Sequence, residues 1–159
     1  MNEPAQTLLP VLLLLSFFIP VIFFLITQQR ILQAIRPGNR LMRPGNVWLQ
    51  LIPFFNFIWQ FVVVSNIAGS IKKEFETWEN DSITGLPSAD IVSELGKRPT
   101  YAIGILSCSI WTLYCLMAQG RAFIPPLFSF VVSLAAITCW IIYWVKLASY
   151  SRRIKNRYL

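Results

Sequence analysis

Residues 47–71 read VWLQLIPFFNFIWQFVVVSNIAGSI, and this stretch decides how the rest of the chain can fold. It is apolar enough to enter a membrane, but Pro53 interrupts it near its start. It also carries four polar side chains, those of Asn56, Gln60, Asn66 and Ser70. The other hydrophobic segments of the chain are typical of ordinary membrane helices.

The composition favours a lipid bilayer as the solvent of this chain. Of its 159 residues, 55% are apolar and 13% are charged, whereas soluble domains carry about 25% charged residues. A soluble fold cannot easily cover so much apolar surface. We therefore expect a single membrane domain over residues 1–159, with the lipid bilayer as its first partner.

Four apolar segments are long enough to cross a hydrocarbon core of about 30 Å. They predict spans at about residues 8–28, 48–71, 100–119 and 127–148, and a surface loop at residues 72–99. Ile71, Phe75 and Trp78 recur at helical spacing where the second span leaves the membrane, and residues 88–95 carry the signals of a short helix. The predicted fold class is all-α, an integral membrane bundle of four transmembrane helices with a short amphipathic surface helix.

The polar side chains of residues 47–71 fall on one side of a helix. At about 100° per residue, they lie on one arc about 120° wide, made by Asn56, Gln60, Asn66 and Ser70. Because a polar side chain in hydrocarbon is costly without a partner, this arc should face protein or water. Two interpretations stay open. The arc glues helices together within the bundle or between copies, or it lines a path for a polar solute.

The residue inventory disfavours catalysis and metal chemistry. The chain has no histidine, and its three cysteines lie inside apolar segments without CxxC spacing. Six of the seven acidic residues fall within residues 74–94, which reads as a solvated surface. We predict no catalytic residue, no metal site, no cofactor and no enzymatic activity. The positive charges sit in connections and at helix ends, which argues against nucleic acid as a partner.

The connection between the first two spans carries four arginines, Arg30, Arg36, Arg40 and Arg43. Two Pro-Gly steps in the same connection predict two successive turns. The arginines suit contact with anionic lipid headgroups or with the acidic face of a partner. The alternative is that they only orient and anchor the chain in the membrane.

The positive-inside rule gives two outcomes, because residues 47–71 can either span or re-enter the membrane. With four complete spans, nine Lys and Arg residues lie on the side of the long loop and the tail, and five lie opposite. This leading prediction gives a multi-pass protein with both termini in the cytoplasm. If residues 47–71 re-enter, the counts become thirteen and one, with Arg121 alone on the other side.

Two runs of the sequence resemble those of small four-span bacterial membrane proteins, of the Bacteroidetes type, whose function is unknown. The first is RPGNVWL at residues 43–49 followed by LIPFFNFIWQFVVVSNIAGSIKKEF at residues 51–75, and the second is CWIIYWVKLASYS at residues 139–151. The resemblance implies a protein of the bacterial inner membrane. It implies no catalytic or binding residue.

The expected function is non-enzymatic. We expect a membrane protein that works through helix–helix assembly, either as a homo-oligomer or as an accessory subunit of another membrane protein. The alternative is an oligomeric pore or transporter for a small polar solute or ion, lined by Asn56, Gln60 and Asn66. A membrane enzyme acting on lipids is least favoured, because the chain has no histidine and no acid inside a predicted span.

Overall fold

The computed structural model describes residues 3–81, 98–119 and 125–157, and every regular element in these ranges is helical. This confirms the predicted all-α class. The long helices are Glu3–Ala34 (α1), Asn56–Asp81 (α2), Tyr101–Gln119 (α3) and Pro126–Arg157 (α4). Two 3-10 helices, Pro37–Asn39 and Pro44–Leu51, join α1 to α2. The surface helix predicted at residues 88–95 lies outside the described residues.

The predicted second span differs most from the structure. The 3-10 helix Pro44–Leu51 ends before Pro53, and α2 begins at Asn56 and continues to Asp81. Pro53 has no N–H to donate, and Phe54 takes a positive φ of 62°, so the helix cannot run through this point. The spans predicted at residues 8–28 and 127–148 lie within α1 and α4, and the one at 100–119 corresponds to α3.

The break before α2 pairs its own backbone groups. The Phe55 N–H donates to the Pro53 carbonyl at 2.7 Å. The Asn56 N–H donates to the Ile52 carbonyl at 3.1 Å, and the Trp59 N–H donates to the Phe55 carbonyl at 2.9 Å. These bonds reduce the number of backbone groups at the break that need water, which lowers the cost of placing it in an apolar environment.

The helices α2 and α4 run in the same direction. The Phe75 ring packs on the Tyr150 ring with 5.9 Å between their centroids. Further along both helices, the Arg157 guanidinium lies 4.9 Å from the centre of the Trp78 ring. Later residues of α2 therefore meet later residues of α4, and both helices end on the same side of the bundle.

The helix α3 runs against α2. Gly104, near the start of α3, lies beside Val64. Thr112, two turns further along α3, hydrogen-bonds to Gln60, which comes earlier in α2. Because α3 and α4 also pack along each other, α3 returns the chain to the end of the bundle at which α4 begins.

The chain turns back after α1 and runs along α2 before entering it. Arg36, just beyond α1, bonds through its backbone N–H to Glu74 near the C-terminal end of α2, at 3.2 Å. Asn46, later in the connection, accepts a hydrogen bond from Trp59 near the start of α2. We call residues 35–55 the return segment. It makes α1 and α2 parallel, whereas successive spans of an alternating bundle are antiparallel. This is the arrangement of the re-entrant alternative.

The buried core lies toward the end of the bundle that α1, α2 and α4 share. Its most buried apolar side chains include Ile31, Leu32, Val47, Val63, Ile67, Ala68, Ile71, Leu147 and Ile154. The outside of the bundle exposes large apolar side chains, which on α4 include those of Leu127, Phe128, Phe130, Val131, Leu134 and Ile137. Contiguous apolar surface of this extent is rare on soluble monomers.

Three helices approach closely at Gly104. A Cβ atom at this position would lie 2.5 Å from Val64 Cγ1 in α2 and 2.9 Å from Tyr143 Cε2 in α4. Such distances are too short for real contacts, so only glycine lets the three helices pack as they do. Small residues serve this purpose in helix bundles generally.

We expect Gly104→Ala to destabilise the protein by about 1–3 kcal/mol, the usual cost of forcing extra atoms into a packed core. Thermal unfolding of the purified chain in detergent micelles measures this. Gly45→Ala is the matched control, because a Cβ atom at Gly45 meets nothing within 4 Å. Equal stability of the two variants would contradict the packing at Gly104.

Candidate functional site

A buried carboxylate holds the return segment against α2. The side chain of Glu74 has no solvent exposure. Its Oε2 accepts the backbone N–H of Arg36 at 3.2 Å and the Nδ2 of Asn39 at 2.7 Å. Asn39 Nδ2 also donates to Thr77 Oγ1 at 3.0 Å. We call Arg36, Asn39, Glu74 and Thr77 the Glu74 cluster.

The charge of Glu74 is balanced by Arg36. The Nε of Arg36 lies 3.8 Å from Glu74 Oε1, and the arginine side chain is 41% exposed. The arginine therefore keeps much of its hydration while the carboxylate loses its own. Since a buried charge without compensation is costly, the hydrogen bonds to Glu74 are needed to keep it in place, and they fix the path of residues 36–39.

Arg40 closes the C-terminal end of α1. Its Nε donates to the Ile35 carbonyl at 2.8 Å, and its Nη2 donates to the Gln33 carbonyl at 2.9 Å. The last turn of a helix leaves carbonyls without donors from the helix itself. A cation at this end is also favoured by the helix dipole. Arg40 thus stabilises the point at which the chain turns back.

Ser70 makes the next contact between α2 and the return segment. It is fully buried, accepts the Leu41 backbone N–H at 2.9 Å, and donates to the Asn66 carbonyl at 2.7 Å. Both hydrogen-bonding roles of the hydroxyl are used within the chain. This member of the predicted polar arc therefore contacts protein.

Two glutamines of α1 bind the second 3-10 helix. Gln28 Oε1 accepts from Gln50 Nε2 at 2.6 Å, and Gln29 Oε1 accepts from Trp48 Nε1 at 2.7 Å. Gln28 is almost fully buried. The return segment is therefore bonded to α1 on one side and, through the Glu74 cluster and Ser70, to α2 on the other.

Gln60 joins α2 to α3. Its side chain is 7% exposed, and its Nε2 donates to Thr112 Oγ1 at 2.8 Å. The predicted polar arc is thus directed, at this residue, to another helix of the same chain.

Asn56 and Asn66 differ from the other two members of the polar arc. Both are only partly buried. Neither side-chain amide has a hydrogen-bond partner among residues 3–81, 98–119 and 125–157. The four predicted residues therefore divide into an internally bonded pair, Gln60 and Ser70, and a pair whose amides are available, Asn56 and Asn66.

The four arginines of the first connection also divide. Arg36 belongs to the Glu74 cluster and Arg40 caps α1, whereas Arg30 and Arg43 are exposed. The contact with anionic lipid stays a prediction, and Arg30 and Arg43 are the residues free to make it.

The burial of Glu74 was not predicted, because the acidic residues from 74 to 94 were interpreted as a solvated surface. Its position on α2 could have indicated that it is buried. Glu74 follows Ile71 by three residues and precedes Trp78 by four, and both of these side chains are buried. A carboxylate on the apolar stripe of an amphipathic helix needs donors, and the turn-forming residues 36–39 supply them.

One helix within the described residues is both long and apolar enough to cross a membrane, namely α4. Its most apolar window of 18 residues is 11% buried. Two shorter apolar helical stretches accompany it, Phe18–Ala34 in α1 and Tyr101–Met117 in α3. In the same parts of the chain, no three His, Cys, Asp or Glu residues are grouped so as to hold a metal ion.

Comparisons with models of known protein families, with curated proteins and with solved structures find no match. The function must therefore be inferred from the geometry.

We expect Glu74→Ala to destabilise the fold by about 1–3 kcal/mol, because it leaves the donors of Arg36 and Asn39 without their acceptor. Chemical unfolding followed by tryptophan fluorescence measures the change. Glu76→Ala is the control, because Glu76 forms only a surface pair with Lys72 at 3.5 Å, worth about 0.5 kcal/mol or less. If both variants unfold alike, Glu74 does not hold the return segment.

Proposed function

We propose that this chain is an integral membrane protein in which α1, α3 and α4 cross the bilayer, while the return segment and the first part of α2 re-enter it. The observation that carries the proposal is the outer surface of α4. Large apolar side chains are exposed along this helix of 32 residues. At 1.5 Å per residue it is about 48 Å long, which exceeds a hydrocarbon core of about 30 Å.

The positions of two basic residues indicate where one surface of the membrane lies, just beyond the contact between Thr27 of α1 and Trp144 of α4. Trp144 Nε1 donates to Thr27 Oγ1 at 2.9 Å. Arg30 and Lys146 follow these two residues within one helical turn, so they lie at similar depth. Cations of this kind anchor helices at the headgroups, where long side chains reach water.

The length of α2 supports re-entry. From Asn56 to Lys72 it rises about 24 Å, less than the core of about 30 Å. Its N-terminal end would then lie within the hydrocarbon. The neighbouring side chain of Phe54 is 86% exposed. The backbone N–H groups of Phe55 and Asn56 are paired within the chain, which lowers the cost of an apolar surrounding.

The charge distribution supports an orientation. In the re-entrant arrangement, all Lys and Arg residues except Arg121 belong to one side of the membrane. We propose that this side is the cytoplasm. The C-terminus is then cytoplasmic and the N-terminal end of α1 lies across the membrane. This replaces the expectation of two cytoplasmic termini, which required an even number of crossings. The bacterial inner membrane is proposed from the sequence resemblance.

Accessibility of single cysteines to an impermeant maleimide tests this topology in a variant whose native cysteines are replaced by alanine. We expect Arg43→Cys, Arg98→Cys and Lys155→Cys to react only from the cytoplasmic side. Glu3→Cys should react only from the outside. Reaction of Arg43→Cys and Arg98→Cys from opposite sides would restore the alternating four-span order.

Within this membrane, we propose a non-enzymatic role that depends on self-association. The support comes from Asn56 and Asn66. Amides in a membrane helix are stabilised by hydrogen bonds across helix interfaces. Since neither amide is bonded within the described parts of the chain, a second copy can supply the partner.

The internal bonds of Gln60 and Ser70 weigh against the alternative of a pore lined by the polar arc. Gln60 donates to Thr112, and Ser70 is bonded on both sides. Side chains that are satisfied by their own chain contribute little to a path for a polar solute, so assembly is the better proposal.

Energy transfer between donor-labelled and acceptor-labelled copies in phosphatidylcholine vesicles tests self-association. We expect the wild type to associate. The double variant Asn56→Leu/Asn66→Leu should weaken association by about 0.6–2 kcal/mol per amide removed, while its unfolding in detergent stays within about 0.5 kcal/mol of wild type.

Gln60→Leu provides the contrast. It removes a bond inside the monomer, so it should lower folding stability by about 1 kcal/mol and leave association unchanged. A double variant that associates as strongly as the wild type would contradict the role of the two asparagines. A wild type that stays monomeric in vesicles would replace self-association by the accessory-subunit role.

A further inference from the structure

A groove lies along the last part of α4, on the face that the bundle leaves open. It is lined by Val145, Ala148, Ser149, Arg152, Arg153 and Asn156, and its volume is about 350 Å³. The spacing of these residues follows one helix face, because side chains three and four positions apart are neighbours. The polarity of the groove therefore changes along the helix axis, from apolar residues at its start to two arginines and an amide at its end.

The position of the groove matches the membrane surface proposed above. Val145 and Ala148 lie near the depth of Lys146, whose backbone we place at the edge of the hydrocarbon and whose side chain extends to the headgroups. The residues from Ser149 onward extend into the headgroup region. Ile141 and Ile142, one turn before, are also exposed. The groove is thus apolar on the side of the hydrocarbon and charged on the side of the water. A phospholipid has the same order, with its acyl chain in the hydrocarbon and its phosphate at the membrane surface.

Within residues 3–81, 98–119 and 125–157, no acidic side chain pairs with Arg152 or Arg153 at the polar end. No Asp or Glu occurs in Pro126–Arg157. Arg152 makes no ion pair with any described residue. The guanidinium of Arg153 lies 6.0 Å from the centre of the Tyr150 ring, a contact that holds its direction without consuming its charge. Two guanidinium groups of adjacent residues can each present paired donors to one phosphate.

Four other cations of the chain have partners within it. Arg36 is paired with Glu74, Arg40 caps α1, and Arg157 lies over the Trp78 ring. Lys72 is paired with Glu76 at 3.5 Å. Arg152 and Arg153 differ from these because they combine free charge with a groove, a hydroxyl, an amide and adjoining apolar surface.

We propose that this groove binds one anionic phospholipid from the cytoplasmic leaflet. The phosphate lies against Arg152 and Arg153, Ser149 and Asn156 donate to its oxygens or to the headgroup, and an acyl chain follows Val145 and Ala148. The proposal rests on the membrane embedding proposed above and goes beyond it by naming a ligand class and a site.

Native mass spectrometry of the full chain in a neutral detergent tests the site, with dioleoyl phosphatidylglycerol and dioleoyl phosphatidylcholine as probes. We expect the wild type to bind phosphatidylglycerol more tightly than phosphatidylcholine. The double variant Arg152→Gln/Arg153→Gln should weaken phosphatidylglycerol binding at least tenfold, as expected when charge-assisted hydrogen bonds are lost. Its binding of phosphatidylcholine should not change.

A second double variant, Lys73→Gln/Lys155→Gln, removes the same charge outside the groove, because both lysines are exposed and neither lines it. It should bind phosphatidylglycerol like wild type. An equal loss in both double variants would overturn the site, because binding would then follow net charge. Displacement of phosphatidylglycerol by an equal concentration of inorganic phosphate would also overturn it, since the groove would then recognise phosphate without the acyl chain.

Alkaline extraction of membranes containing the same variants separates this proposal from the one on which it rests. A chain that stays in the membrane but shows no preference for phosphatidylglycerol refutes the groove alone. A chain released by alkali refutes the membrane embedding, and the groove with it. Retention in the membrane together with the tenfold loss supports both.

Discussion

The fold depends on one buried carboxylate that receives the chain as it leaves α1. Without Glu74, the Arg36 N–H would lose its acceptor and the Asn39 amide would keep only Thr77. Because Glu74 accepts these hydrogen bonds, residues 36–39 can form a tight turn, after which the chain runs back along α2. Arg40 solves the complementary problem by donating to the last carbonyls of α1. At this one turn, Glu74 accepts a backbone N–H and Arg40 donates to backbone carbonyls, so groups of both kinds at the end of α1 have partners.

That turn determines the relative directions of the helices. Because the chain travels back along α2 before entering it, α1 and α2 are parallel, and α4 joins them with α3 running the other way. The same geometry collects the helix ends that carry cations on one side. A polypeptide in a bilayer is oriented by that distribution of charge, so a local hydrogen-bond arrangement has a consequence for the whole topology.

Much of the helical fold follows from sequence, and the return segment does not. Apolar length predicts that α1, α3 and α4 exist and gives the bounds of α3 within one residue, because the backbone hydrogen bonds of a helix are local. It does not predict how far α1 and α4 continue beyond their apolar parts. Pro53 indicated a break before α2, but the direction of the chain around it depends on contacts made across long sequence separations, such as Arg36 with Glu74 and Asn46 with Trp59. Periodicity along one segment carries no information about such partners.

The sequence pattern predicts the polar arc of α2 but not the partners of its side chains. Helical spacing places the four polar side chains on one side of the helix and does not distinguish between them. The structure separates them by partner. Gln60 and Ser70 bond to α3 and to the return segment, whereas Asn56 and Asn66 are only partly buried. An unmatched amide costs more in hydrocarbon than in water. In the proposed assembly, the same helix stabilises the monomer through Gln60 and Ser70 and contacts a second copy through Asn56 and Asn66.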